Sequence, residues 1–220
     1  MKRGAFFVTL LVVVFGLAAI IGGGAQSYTD CYNDACVSIT EMRPGTLVIS
    51  VIVLLICRFG IKKVAPLRIE NTVGIWTRLG ALCIDFFIVC VFFFPVFALG
   101  FLWVEAYWTS EFVWGFSRDF TRPTDWILEV GMFFVLVITF AYLRMFPRMQ
   151  KPTIGQYVMG YMIVPVNPSQ GKVRAGYRAF CGLFALAWWP FTLYHAAKSP
   201  NRVYWWDKDS KTRAVKTKYI

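Results

Sequence analysis

Long apolar segments, separated by short polar or basic ones, make up most of this chain. The segment 76–101 is long enough to cross a bilayer, which needs ~20 mostly apolar residues. It carries Arg78 near its start and Asp85 within it. A carboxylate inside such a helix costs ~2.5–3.5 kcal/mol on insertion scales, so Asp85 requires a partner. Arg78 lies on the same helical face, ~10 Å nearer the helix end, and is the predicted partner.

Four more apolar segments extend the pattern, over residues 1–24, 45–61, 126–146 and 179–197. The first three predict one crossing each. The start 1–24 also resembles a signal peptide, but its apolar run exceeds the usual 7–15 residues, which favours an uncleaved helix. Basic residues lie on both sides of 179–197, and a single crossing would place the basic tail outside. We therefore expect a re-entrant pair of half-helices bent near Trp189 and Pro190, with a fifth crossing as the alternative.

The predicted fold class is an all-α membrane protein, with four transmembrane helices plus a C-terminal re-entrant or fifth hydrophobic helix. Composition agrees, because 58 % of the 220 residues are hydrophobic and only 16 % are charged, and mean hydropathy is +0.56. The net charge of +11 sits mainly beside apolar runs, which the positive-inside bias explains better than nucleic-acid binding does. The bias also predicts that both ends of the chain lie in the cytoplasm.

Two polar segments add detail to this architecture. Cys31 and Cys36 lie in the loop predicted to face outside, where an oxidising compartment favours a disulfide. A redox pair is the alternative, although its usual C-x-x-C spacing is narrower. On the cytoplasmic side, residues 162–166 and 172–174 flank a turn-forming N-P-S-Q-G and predict a short extended pair. Glu129 is interpreted as a carboxylate that reaches the interface, and His195 as an interfacial side chain.

Three short motifs resemble those of the RDD family of bacterial membrane proteins, over roughly residues 74–215. The first, T-R-L-G-A-L-C-I-D, contains Arg78 and Asp85; the second, P-T-I-G-Q-Y-V-M-G, contains Thr153, Gly155 and Gly160; the third, D-K-D-S-K-T, begins at Asp207 and ends at Thr212. This sequence departs from the family pattern at Gln156, where a basic residue is common, and at Lys211, where Gly is common. Asp209 is a second candidate acid. The resemblance implies embedding in a bacterial membrane, here expected to be the inner membrane, and transport has been suggested for the family.

Arg78, Asp85 and Asp207 are predicted to form one buried ionic cluster near the cytoplasmic face. A structural role would pin the last segment against the 76–101 helix, whereas a functional role would be an ion or proton site. The chain divides into an N-terminal helix pair, 1–62, and an RDD-like domain with a basic tail, 63–220.

We therefore expect a non-catalytic integral membrane protein that is a subunit or assembly partner of a larger complex. Its expected partners are the lipid bilayer and other membrane subunits or copies of itself, with no nucleic acid, cofactor or metal. The alternative is an ion or small-solute transport protein that uses Asp85. An enzyme is disfavoured, because the sequence contains one histidine and none of the H-E-x-x-H, G-x-S-x-G or P-loop motifs.

Overall fold

A computed structural model describes most of the chain. The described residues are 3–21, 26–32, 35–41, 45–66, 73–110, 112, 115–118, 126–166, 174–199 and 204–219. Most of them lie in helices: α1 Arg3–Ile21, α2 Gly45–Gly60, α3 Ile75–Thr109, α4 Trp126–Arg148, α5 Ile154–Met159, α6 Ala175–Ala187, α7 Trp189–Lys198 and α8 Trp205–Asp209. The strands are β1 Gln26–Tyr32, β2 Ala35–Glu41, β3 Val64–Pro66, β4 Gly115–Arg118, β5 Tyr161–Pro165 and β6 Thr212–Tyr219.

One helix among the described residues is long and apolar enough to cross a membrane. It is the part of α3 over Ile75–Phe93, with a mean hydropathy of 1.9. The segments Arg3–Ala19, Leu47–Gly60 and Ala175–Ala187 form shorter apolar helices. The predicted predominance of helix is confirmed, whereas four crossings are not established by these lengths.

The last apolar segment is broken close to the predicted place. Helix α6 ends at Ala187, Trp188 lies between the helices, and α7 carries Pro190 in its first turn. Proline lacks a backbone N–H, and its ring clashes with the carbonyl four residues earlier, so a single helix cannot run smoothly through Pro190. The Trp188 N–H donates to the Phe184 carbonyl oxygen at 2.9 Å, which closes the final turn of α6. Whether these two helices re-enter a membrane stays a prediction.

Two small antiparallel sheets make the all-α description too narrow. One has the order β1-β2-β4 and the other β3-β6-β5. Strand β5 was expected to pair with residues 172–174, but it pairs with β6, from Tyr161 opposite Lys216 to Pro165 opposite Thr212. The expected partner lies largely outside the described residues, since 171–173 are not described. The basic C-terminal segment is therefore a central strand, because β6 also pairs with β3 on its other edge.

The chain divides into two compact units. Unit 1 comprises Met1–Phe7, Phe59–Val89 and Leu136–Ile220, and unit 2 comprises Val8–Arg58 and Cys90–Val135. Unit 1 contains the β3-β6-β5 sheet and helices α5–α8, and unit 2 contains the β1-β2-β4 sheet. The domains predicted from the sequence, 1–62 and 63–220, separate the N-terminal helix pair from the part that carries the motifs. That division stays a prediction.

Unit 1 contains the motif residues Arg78, Asp85, Thr153, Gly155, Gly160, Asp207 and Thr212. Among its described residues, buried apolar side chains form two clusters: Val73, Ala81, Tyr161, Ile163 and Ala214, and then Cys181, Ala185, Ala196, Tyr204 and Trp206. The first residues of α1 also belong to this unit. Phe6 is fully buried with its ring edge-on to Tyr157, and Arg3 donates to the Thr217 carbonyl oxygen at 2.8 Å.

Candidate functional site

Asp85 is buried on α3 and accepts hydrogen bonds from three neutral donors. Its carboxylate is 2 % exposed. The Gly155 backbone N–H donates to Oδ1 at 2.6 Å, the Thr153 hydroxyl to Oδ2 at 2.6 Å, and the Tyr142 hydroxyl to Oδ1 at 2.9 Å. Tyr142 in turn accepts the Ile154 N–H at 2.9 Å. Hydrogen bonds to the charged form favour a buried carboxylate, so these donors replace much of the lost hydration.

The short helix α5 supplies two of those donors because of how its sequence begins. Thr153 is the N-cap and accepts the Gln156 N–H, while the Gln156 side chain accepts the Thr153 N–H, which completes a capping box. The Thr153 hydroxyl hydrogen is thus available for Asp85. Gly155 allows close approach to α3, since a Cβ there would meet the Ala81 carbonyl oxygen and lie 2.9 Å from Asp85 Cγ.

Gly160 ends α5 and is required for a different reason. Its φ of 77° lies in the left-handed region, which glycine adopts at little steric cost. A Cβ at this position would also collide with a guanidinium nitrogen of Arg3. The Gly160 carbonyl accepts the Thr217 N–H at 2.9 Å, so the turn delivers the chain directly into the β5–β6 ladder. The three residues of the second motif, Thr153, Gly155 and Gly160, therefore have three separate structural functions.

Asp207 is the second buried carboxylate, and two arginines neutralise it. It is fully buried in α8 and forms ion pairs with Arg78 on α3 through Oδ2 and with Arg178 on α6 through Oδ1. Burial raises the pKa of Asp207, but the guanidinium groups of Arg178 and Arg78 outweigh that effect and hold the pKa below its ordinary value. Asp207 is thus a carboxylate at neutral pH, and it ties α3, α6 and α8 together.

Further contacts hold the two arginines in place. Arg178 also donates to the Thr212 hydroxyl at 2.8 Å, and that hydroxyl lies 2.7 Å from the Ser210 hydroxyl. The Arg78 guanidinium lies over the Tyr204 ring, 5.4 Å from its centroid. Tyr204 stacks on Trp206 with centroids 4.3 Å apart, and burial raises the Tyr204 pKa to about 12, so its hydroxyl stays protonated.

The predicted cluster of Arg78, Asp85 and Asp207 is therefore organised as two sites. Arg78 pairs with Asp207, whereas the hydrogen bonds to Asp85 come from Tyr142, Thr153 and Gly155. Two participants were not predicted as site residues. Arg178 was interpreted only as a basic residue before an apolar run, and nothing in the spacing marks Tyr142, which lies on a different helix.

A small cavity of about 60 Å³ lies between these two sites within unit 1. Its polar wall includes Arg78, Asp85, Gln156, Tyr161 and Arg178. The Nε atom of Arg78 is buried and has no hydrogen-bond partner within the described chain. A cavity of this size and polarity accommodates a few water molecules, since each requires ~10–15 Å³ on this measure.

The remaining predicted residues lie elsewhere or outside the described part. The backbone sets Cys31 directly opposite Cys36 in the β1–β2 hairpin, but their side chains are not described. The structure does not support the disulfide, which stays a prediction. The Glu129 side chain is likewise outside the described residues. His195 is exposed, with its ring edge-on to Trp205 at 5.3 Å. Among described side chains, no group of three or more His, Cys, Asp or Glu residues is arranged to hold a metal.

These geometries agree with the comparison of the chain with known families. The family model described as "RDD family" matches residues 72–210. The chain belongs to the RDD family. Comparison with curated proteins and with solved structures gives no significant match. In this RDD protein, Arg78, Asp85, Thr153, Gly155 and Asp207 lie in unit 1 at one of the two buried carboxylates, and Gly160 lies in unit 1 at the turn into the β5–β6 ladder.

Proposed function

We propose that this RDD protein is a non-catalytic integral membrane protein that acts as a subunit or assembly partner of a larger complex in the bacterial inner membrane. One observation carries the proposal: both buried motif carboxylates are satisfied by groups of the chain itself. Asp85 accepts three hydrogen bonds, and Asp207 forms two ion pairs. A carboxylate so engaged is suited to holding helices together, whereas a general base must reach a substrate proton.

Large exposed apolar side chains support the membrane part of the proposal. On α1, Val8, Val12 and Phe15 are 58–65 % exposed, and on α4, Phe133 is 64 % exposed. Apolar surface of this extent on a chain of mean hydropathy +0.56 is typical of contact with lipid or with another membrane protein. In this proposal α1 to α4 each cross the membrane once.

Extraction in mild detergent, followed by quantitative mass spectrometry of co-purifying proteins, tests the assembly role. We expect one or more membrane proteins to co-purify in a fixed ratio to this 25.2 kDa chain. That ratio should survive a high-salt wash, because salt removes acidic proteins that merely adhere to a basic surface. The chain carries an affinity tag for this purification, and a strain with the untagged chain controls for non-specific capture. A single monodisperse species without partners contradicts the subunit proposal.

The cavity supports a second candidate, an ion or small-solute transport protein. Asp85 and Arg78 both line the cavity, and the Nε atom of Arg78 has no hydrogen-bond partner within the described chain, so polar and charged groups are available beside a path for an ion. The flux of ions or small solutes into proteoliposomes separates the transport role from the subunit role. Asp85→Asn is the suitable variant, because its amide can donate to the Thr153 hydroxyl while its oxygen accepts from Gly155 and Tyr142. Wild-type flux that disappears in an Asp85→Asn protein that remains folded would replace the subunit proposal with transport.

A further inference from the structure

Helix α4 carries a surface groove of about 260 Å³ that neither buried site uses. One stripe of side chains lines it: Val137, Phe140, Ala141, Arg144, Met145 and Arg148. Their spacing of three and four residues places them on one face of the helix. The stripe is apolar at one end and basic at the other, because both arginines lie in the last five residues of α4.

The basic end of this groove has charge that the described chain does not neutralise. Arg144 and Arg148 are exposed, and no described acidic side chain forms an ion pair with either. They are four residues apart, so their guanidinium groups emerge from successive turns on the same side. Arg144 also lies beside the start of α6, with its Nε 4.0 Å from where a Cβ of Gly176 would be. Two adjacent guanidinium groups are well suited to phosphate oxygens, which they bind in a bidentate manner.

The apolar end of the groove is open rather than packed. Val137 is 43 % exposed, and Ala141, one turn further along, is exposed as well. From Val137 to Arg144 the helix rises ~10 Å, so apolar surface continues from the guanidinium groups along the helix. A free phosphate ion would contact only the basic end. A molecule with a phosphate attached to a hydrocarbon chain would cover both ends.

We propose that this groove binds an acidic phospholipid, with the head-group phosphate at Arg144 and Arg148 and the first part of an acyl chain along Phe140 and Val137. This assignment rests on the proposed membrane embedding, which would place the end of α4 at the lipid–water interface. Basic residues near an acidic lipid surface contribute about 1 kcal/mol each, or roughly fivefold in affinity. The paired arginines thus give selectivity for acidic over zwitterionic lipid.

Spin-labelled lipids in vesicles that contain the full chain test the site. The vesicles consist of phosphatidylcholine, with trace amounts of labelled phosphatidylglycerol or labelled phosphatidylcholine. We expect wild-type protein to immobilise the acidic label with roughly fivefold or greater preference. The variant R144Q/R148Q should reduce the preference to near one, and R144K/R148K should retain most of it. K208Q/K218Q removes the same charge from exposed sites on α8 and β6 and should keep the wild-type preference.

Each other outcome has a definite meaning. Selectivity that survives in R144Q/R148Q, or that K208Q/K218Q abolishes equally, overturns the groove as the lipid site. Binding of inorganic phosphate to the detergent-solubilised chain that R144Q/R148Q abolishes, without preference for the acidic label in vesicles, assigns the basic end to free phosphate and overturns the lipid. Wild-type protein that enters vesicles without preference contradicts the lipid site alone. Wild-type protein that does not enter vesicles contradicts the membrane embedding and the lipid site together. Circular dichroism spectra verify that each variant is folded.

Discussion

Asp85 and Asp207 are both carboxylates with almost no exposed surface, and the protein stabilises them in different ways. Asp207 has two guanidinium partners, whereas Asp85 has a backbone amide and two hydroxyl donors. Removing a buried hydrogen-bond acceptor leaves its donors unsatisfied, at a cost of about 1–3 kcal/mol for each donor. The number of donors that lose their acceptor therefore determines the effect of a substitution.

Replacing Asp85 with Leu should destabilise unit 1 by several kcal/mol, because Gly155, Thr153 and Tyr142 would all lose their acceptor. Asp85→Asn should cost about 1 kcal/mol, since its amide oxygen still accepts from Gly155 and Tyr142 and only the Thr153 hydroxyl loses its acceptor. Thermal unfolding in detergent, monitored by tryptophan fluorescence, measures the loss of stability in both variants. Asp209→Leu is the matched control, because the Asp209 contact with Tyr177 is exposed. Equal melting temperatures for Asp85→Leu and Asp209→Leu would show that the Asp85 hydrogen bonds contribute no stability.

Acid should weaken the Asp207 ion pairs in a defined direction. Because the folded pKa of Asp207 lies below its ordinary value of 3.8, the carboxylate contributes stability above that pH and loses it as pH falls through the folded pKa. Arg178→Gln removes one guanidinium, which raises the folded pKa, so loss of stability should begin at a higher pH. Melting temperatures between pH 3 and 7 test this. Lys208→Gln, an exposed change on the same helix, should leave the wild-type profile unchanged, and an identical shift in both variants would contradict the assignment.

For single residues, the sequence indicated which charged side chains are buried better than it indicated their partners. Asp85 was expected to need a partner because an uncompensated charge in an apolar helix is costly. Arg78 lies on the same helical face, but a helical face says nothing about which distant segment approaches it. Its partner Asp207 is 129 residues away in sequence. Arg178 and Tyr142 are likewise brought in by tertiary packing, which periodicity and charge do not reveal.

Close packing of α5 against α3 depends on the absence of a side chain at Gly155. A Cβ would overlap the Ala81 carbonyl oxygen, which is backbone and cannot move aside without shifting α3. Gly155→Ala should therefore reduce the yield and lower the melting temperature strongly, with a loss at the upper end of the usual 1–3 kcal/mol for overpacking. Gly100→Ala on α3 is the control, because nothing lies within 4 Å of its Cβ position. Similar melting temperatures for the two variants would be evidence against this close contact.

Strand β6 shows why the sequence indicated helices more reliably than the sheets. Its sequence T-R-A-V-K-T-K-Y contains three basic residues, and the charge pattern predicts only a basic cytoplasmic tail here. Thr212, Ala214, Val215 and Thr217 are nevertheless buried, because β6 is flanked by β3 and β5. Long strand pairings of this kind join residues more than 45 positions apart, and no local pattern specifies them. The break near Pro190 was predictable because proline acts on the backbone locally.

For the whole molecule, the two chain ends provide the strongest constraint on topology. Arg3 donates to the Thr217 carbonyl oxygen at 2.8 Å, so the start of α1 and strand β6 lie together in unit 1. Two groups in hydrogen-bond contact cannot be on opposite sides of a bilayer. Four crossings with a re-entrant α6–α7 pair keep both ends on one side, whereas a fifth crossing would separate them.

Reporter fusions to the full chain test this topology. With the basic start of the chain inside, a C-terminal green fluorescent protein should fluoresce and a C-terminal alkaline phosphatase should be inactive. Fusions after Ser110, which follows α3, should give the opposite pattern and provide the internal control. Loss of α1 from the purified protein, measured by intact mass, would contradict the Arg3 contact. Active phosphatase at the C-terminus would indicate a fifth crossing. It would also contradict the hydrogen bond between Arg3 and Thr217, because Arg3 would then be inside the cell and Thr217 outside.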